Sequence, residues 1–262
     1  GLCLQTNHTL VDVSLFGNPV GMGVEFSQGI GMAPSLQRLD LSGCSILDEE
    51  AVHLEFAIGN STTLQELCLH WNSLSLRGGM GLGAGLKRNK TLTKLFLGEN
   101  QLQVDGIRAL FSGVERHPCL LQLVLCGNRF GDTGARYVGT ALCRNTSLAF
   151  LDLCNCAIGD AGAWSLSESF RENSTLRHLL LGGNNIRDNG GRSMAAALRG
   201  NQSLFSLNLT GNKMSEQGGL AALREAALSS QMHTLSMEYQ MRDLGPAVPR
   251  RMTAGGGLRS GK

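Results

Sequence analysis

Large aliphatic residues recur along the chain in one pattern, L-x-x-L-x-L-x-x-N/C-x-[ILVFM], present eight times. The second copy runs Leu36, Leu39, Leu41, Cys44 and Ile46, and the fourth runs Leu92, Leu95, Leu97, Asn100 and Leu102. The polar position falls at Asn18, Cys44, Asn72, Asn100, Asn128, Cys156, Asn184 and Asn212, one step of 26 residues followed by steps of 28. A worn ninth copy follows at Met232, Leu235, Met237 and Gln240. Within L-x-L, successive side chains point to opposite faces, so the two leucines face a core and their neighbours face out. Each copy thus predicts one short strand, paired in parallel with the strands of adjacent copies. The Asn begins the turn away from the strand and bonds free backbone groups of neighbouring loops, forming a ladder. Cys44 and Cys156 fill the same space with a smaller group.

The second half of each copy carries helix marks. Asp48, Asp105, Asp132, Asp160, Asp188 and Glu216 lie four or five residues after the ladder position, where a carboxylate caps a helix start or favours its dipole. Gly78, Gly106, Gly134, Gly162, Gly190 and Gly218 come six residues after it, where little room is expected for a side chain. Apolar pairs such as Val138/Leu142, Leu82/Leu86 and Leu166/Phe170 then give one buried helical stripe. A unit of one strand and one helix buries its apolar face only by stacking on its neighbours.

The 28-residue copy, the N/C position and the x-[DE]-x-x-G-x-x-x-[LV]-x-x-x-L helix of Gly131 to Leu142 resemble the leucine-rich repeat superfamily, in its ribonuclease-inhibitor-like subtype. The resemblance covers about residues 10–240. It implies an α/β fold, a right-handed βα leucine-rich-repeat solenoid shaped as a horseshoe, with parallel strands concave and helices convex. Residues 1–241 are expected to form this solenoid and 242–262 a flexible basic tail. The subtype includes ribonuclease inhibitor, the Ran GTPase-activating protein and the sensor repeats of nucleotide-binding immune receptors, so it implies little about function.

Composition narrows the classes. With 262 residues, 42% hydrophobic, and a net charge of +2, the chain makes no electrostatic case for a nucleic-acid partner. No run of 18 apolar residues exists, so no membrane helix is expected. The start, Gly1 to Gln5, has neither a basic n-region nor an apolar h-region, so no signal peptide is expected. It also lacks an initiator Met, which leaves room for a longer chain. Eight cysteines without a cysteine-rich cap fit free thiols in a reducing, cytoplasmic compartment. Only Cys126 and Cys154 hold equivalent outward sites on adjacent strands, a poor geometry for a disulfide.

Three features that look chemical have structural readings. The N-x-[ST] triplets at Asn145, Asn173 and Asn201 are spaced at 28 and mark the helix-to-strand turn, not glycosylation. The glycine-rich run Gly78 to Gly85 lacks G-x-x-x-x-G-K-[ST] and aligns with Gly134 to Ala141, so it reads as a repeat helix of weak propensity, a soft spot in the convex surface. No histidine has metal-ligand spacing. No catalytic set, cofactor or metal is expected, and the chain reads as a non-enzyme.

Alternation gives the concave lining. Outward positions on consecutive strands bring Cys68, Phe96 and Val124 into a short apolar strip, about 4.8 Å between neighbours. Trp71, Phe150 and Leu180 flank it, and Glu66, Lys94, Glu99 and Asp152 surround it, with His70 and His178 on the same face. An exposed apolar centre with a charged rim is the expected surface for another protein, singly or within a larger assembly. The concave face is not acidic enough for a ribonuclease-inhibitor role. A GTPase activator resembling the Ran regulator and an immune-receptor sensor are the alternative readings, the first weakened by the basic tail. That tail holds Arg242, Arg250, Arg251, Arg259 and Lys262 against Asp243.

Overall fold

The computed structural model describes residues 1–230, 232 and 234–236. A single helical turn, α1 (Leu2–Thr6), precedes β1 (Asp12–Ser14), α2 (Val24–Gly31), β2 (Arg38–Asp40) and α3 (Leu54–Asn60). The alternation continues through β3 (Glu66–Cys68), α4 (Leu76–Arg88), β4 (Lys94–Phe96), α5 (Val104–Val114), β5 (Gln122–Val124) and α6 (Gly131–Leu142). It ends with β6 (Phe150–Asp152), α7 (Asp160–Ser169), β7 (His178–Leu180), α8 (Asp188–Leu198), β8 (Ser206–Asn208), α9 (Gly219–Ser229) and β9 (Thr234–Ser236).

The nine strands form one sheet in chain order, every pair parallel. The register follows the repeat, with Leu39 opposite Leu67, Leu67 opposite Leu95 and Leu95 opposite Leu123. Strand–helix–strand connections of this kind are right-handed. Helices pack about 8–10 Å apart and strands about 4.8 Å, so the stack bends with its strands inside. This is the βα solenoid that the period predicts.

The inward leucines of β2 to β8 are buried in one continuous core. Leu10, Val13 and Leu15 of the first copy are only partly covered, because β1 is the edge strand of the described sheet. Helix α1 lies against α2 at that end, where a Cβ on Gly29 would stand 2.6 Å from Gly1 Cα. At the other end Met232 and Leu235 pack on the core. Met237, Gln240 and the basic tail lie outside the described residues.

Two ladders of buried asparagine tie the copies together. In the first, each Nδ2 donates to a carbonyl of the previous copy and each Oδ1 accepts a backbone N–H there. Asn72 reaches Leu41 O at 2.9 Å and Asn100 reaches Leu69 O at 2.8 Å. Cys44 and Cys156 hold their places with thiols that donate to Leu15 O (3.1 Å) and Leu125 O (3.4 Å). The second ladder is the N-x-[ST] turn. Asn89, Asn145, Asn173 and Asn201 donate to Ile58 O, Val114 O, Leu142 O and Phe170 O at 2.7–2.8 Å.

His117 interrupts the second ladder. Its Nδ1 accepts the Leu120 N–H at 3.0 Å, so the neutral ring carries its proton on Nε2, which is buried without a partner. Burial pushes the pKa down to about 4. The unfolded chain, with its histidine near about 6.5, binds more protons between the two values, so stability falls as pH drops through that window. His117→Asn is expected to stabilise the fold by about 1 kcal/mol and to remove that slope. Urea denaturation at neutral and mildly acidic pH measures both effects.

The helix-start acids act differently from expectation. Asp48 does not cap its own helix but the next copy's, accepting N–H bonds from Ser75 (2.6 Å), Gly78 (2.7 Å) and Arg77 (3.1 Å). Asp132, Asp160 and Asp188 likewise reach the starts of α7, α8 and α9. The reason is register: the capping carboxylate sits about 27–30 residues ahead of the N–H groups it satisfies, next door in space. Burial alone would raise the Asp48 pKa, but its N–H donors hold it below the usual value. The N–H groups of Gly219 and Ser215 hold Asp188 down to about 2. Asp105 and Glu216 instead pair with Arg108 and Arg224 on the surface.

Leu76 and Val104 stand where Asp48 and Asp132 stand in their copies, so α5 and α6 receive no such staple. At the α4–α5 junction glycine replaces it. A Cβ on Gly79 would lie 2.7 Å from Gly106 Cα, and one on Gly113 would lie 2.9 Å from Gly83 Cα. A Cβ on Gly83 would fall on the Ala109 carbonyl oxygen. The glycine-rich helix is therefore a close-packed seam, which corrects its reading as a soft spot. Weak propensity describes an isolated helix; backbone-to-backbone packing overrides it here.

Candidate protein-binding surface

Strand register assembles the concave face in columns. The first outward column runs Asp12, Arg38, Glu66, Lys94, Gln122, Phe150, His178 and Ser206. Its charges are internally paired: Arg38 meets Asp12 at 2.8 Å and Lys94 meets Glu66 at 3.2 Å. Such half-exposed pairs contribute about 1 kcal/mol or less to the fold.

The second column brings Cys68, Phe96 and Val124 together as expected, but not as an exposed centre. Each is at most 5% exposed, and with Phe150 and Cys126 against them they form a separate small core. Parallel strands hold these side chains shoulder to shoulder on the inside of a bend, and the next residues along each strand close over them. His70 is one such cover, with its ring centre 5.7 Å from that of Phe96. Cys68, His70, Phe96, Val124 and Asp152 are thus the floor beneath a binding surface rather than the surface itself. Burial lowers the His70 pKa and lifts the Cys68 thiol to about 12, with Cys126 and Cys154 also pushed up. Asp152 accepts the Cys154 N–H at 2.8 Å, and burial raises its pKa.

Two aromatic groups stand along the lips of this trough. On the strand-entry side, Phe150, His178 and Phe205 form a row across three copies, with ring centres 6.2 and 5.8 Å apart. Leu121 is half exposed there, and Phe205 is 43% exposed. Leu180 lies partly covered two residues along from His178. On the strand-exit side Phe16 meets Trp71 edge-on at 6.3 Å, and His70 lies 5.6 Å from Trp71. Phe16, Leu121 and Phe205 were not among the expected contact residues. Alternation carried beyond the three-residue strands points Leu121 and Phe205 inward with Leu123 and Leu207; the strand ends first, and the bend turns them out.

The strand-exit turn holds a further column: Gly17, Gly43, Trp71, Glu99, Gly127, Asn155, Gly183 and Gly211 all adopt positive φ between 51° and 78°. Five are glycine, which takes this conformation freely. Asn tolerates it, but Trp71 and Glu99 bear a strain of about 1–2 kcal/mol each. Twenty-eight-residue spacing of glycine was the available signal.

Among the described residues no group of three or more His, Cys, Asp or Glu side chains is placed to hold a metal ion. No described helix is long and apolar enough to cross a membrane.

Models described as leucine-rich repeat match residues 35–56, 88–111, 144–167 and 172–195. No curated protein matches the sequence. Among solved structures, the crystal structure of the mouse RP105/MD-1 complex is similar with a TM-score of 0.50 and 21% identity. The alignment covers 84% of this chain and 36% of that one, so this chain spans about a third of its length. At that identity the likeness concerns fold alone. The chain carries leucine-rich repeats, and its nine-stranded stack is a βα leucine-rich-repeat solenoid. Leucine-rich repeats generally mediate protein–protein interaction.

Proposed function

We propose that this solenoid is a non-enzymatic scaffold that docks another protein across its concave face. The observation that carries the reading is the pair of aromatic lips, Phe150–His178–Phe205 and Phe16–Trp71, on either side of a trough whose ion pairs are satisfied internally. Aromatic side chains with polar neighbours are the commonest energetic anchors of protein interfaces. Glu66, Lys94 and Leu180 line the space between the lips, and the buried strip keeps that space rigid. The long copy with one helix each and the Asn/Cys ladder support placing the repeats in the ribonuclease-inhibitor-like subtype. Eight free thiols, the buried ones with raised pKa, support a reducing, cytoplasmic location.

The test is capture from cells with face-specific variants. His178→Ala combined with Phe205→Ala is expected to reduce recovery of the bound protein about tenfold, as loss of one strong anchor does. Trp164→Ala, on the outer helix α7 and 55% exposed, is expected to leave recovery unchanged. Loss with Trp164→Ala and retention with the double variant rejects the concave assignment.

A further inference from the structure

We infer that Trp71 and Glu99 form a seat for an arginine side chain of the docked protein, an inference that rests on the concave-face reading above. Their backbone N–H groups donate to Gly98 O (3.0 Å) and Cys126 O (2.7 Å), which fixes both residues at the exits of adjacent strands. Register therefore places their backbones one strand spacing apart, about 4.8 Å, with the Glu99 carboxylate leaning one strand further on, over Gly127. Both hold left-handed backbone where most copies have glycine, so neither side chain is there for the convenience of the turn.

Their surroundings select a cation. In the positive-φ column and the column beside it, from Phe16 to Gly211, Glu99 is the single charged residue. Its exposed carboxylate rests above Gly127, with no ion pair or hydrogen bond among the described residues, whereas Arg38 and Lys94 across the trough are already paired. Trp71, one strand back, is partly exposed, its indole edge-on to Phe16 and 5.6 Å from the His70 ring. A guanidinium satisfies both, stacking its plane on the indole while turning its N–H edge to the carboxylate. The compact ammonium of lysine does one or the other.

One stack plus one exposed ion pair predicts millimolar or weaker affinity for an isolated side chain. The probe is N-acetyl-argininamide, titrated to about 200 mM at constant ionic strength and read by tryptophan fluorescence in Trp164→Phe, where Trp71 is the sole indole. N-acetyl-citrullinamide, its neutral isostere, is the comparison. The arginine compound is expected to act at roughly threefold lower concentration, and Glu99→Gln is expected to erase that preference. Equal responses, or a preference that survives Glu99→Gln, overturn the seat. Glu99→Gly is expected to raise the Tm by about 2–4 °C through relief of the turn; a fall would make Glu99 a structural residue and overturn it as well. Failure of the arginine preference while His178/Phe205 variants still lose capture removes this seat alone and leaves concave docking intact.

Discussion

Gly83→Val is expected to destabilise the protein by about 3 kcal/mol or more, although replacing glycine by valine inside a helix ordinarily gains about 0.3 kcal/mol. The sign reverses because the new Cβ falls on the Ala109 carbonyl oxygen and 3.3 Å from Leu110 Cα, both backbone of the adjoining helix. Backbone cannot rotate away as a side chain does, so α4 and α5 must separate, which opens the core beneath Leu82, Leu86 and Leu110. In a stacked array such damage stays at one junction. Amide exchange in α4 and α5 is therefore expected to accelerate before that in α7 and α8. Gly23→Ala is the control, since a Cβ there meets nothing within 4 Å and should change stability by less than about 1 kcal/mol. Equal effects of the two substitutions would show that the glycine seam is not load-carrying.

Asn128→Ala is expected to cost about 3–5 kcal/mol, measured by urea denaturation. The side chain is fully buried and serves three backbone groups: Leu97 O at 2.8 Å, Leu125 O at 2.9 Å and the Leu102 N–H at 2.9 Å. Alanine leaves the buried Leu102 N–H without a partner and takes one donor each from Leu97 O, which keeps Asn100 Nδ2 at 3.1 Å, and Leu125 O, which keeps the Asn128 N–H at 3.2 Å. Asn128→Cys is expected to lose about half as much, because Cys156 in the next copy shows a thiol donating to the corresponding carbonyl. Identical losses for alanine and cysteine would mean that the thiols at Cys44 and Cys156 merely fill space.

Both predictions draw on features visible to different degrees in the chain. The strands, their order and the ladder were legible because a two-residue alternation and a 28-residue period are set by covalent spacing alone. Asp48 and its equivalents were legible as caps but not as caps of the neighbouring helix, since spacing along the chain does not reveal which N–H groups lie next door. Phe96 and Val124 were placed on the correct face and with the correct neighbours. Their burial depended on how far His70, Cys126 and Phe150 lean over them, which is a property of packing in a bend. Phe205 and Leu121 were hidden because a strand of three residues stops alternating one position earlier than the pattern implies. Trp71 and Glu99 stood out only once the turn's positive φ was known, although five glycines at matching positions pointed to it.

The central claim is that the inner face of the stack, not its helical outside, meets the partner. Photo-crosslinking in cells tests this most directly, with p-benzoylphenylalanine placed either at Gln122, in the concave column between Lys94 and Phe150, or at Arg136, exposed on the outer helix α6. Adducts from position 122 and none from position 136 are expected. Adducts from position 136 alone, or equally from both, would contradict the account.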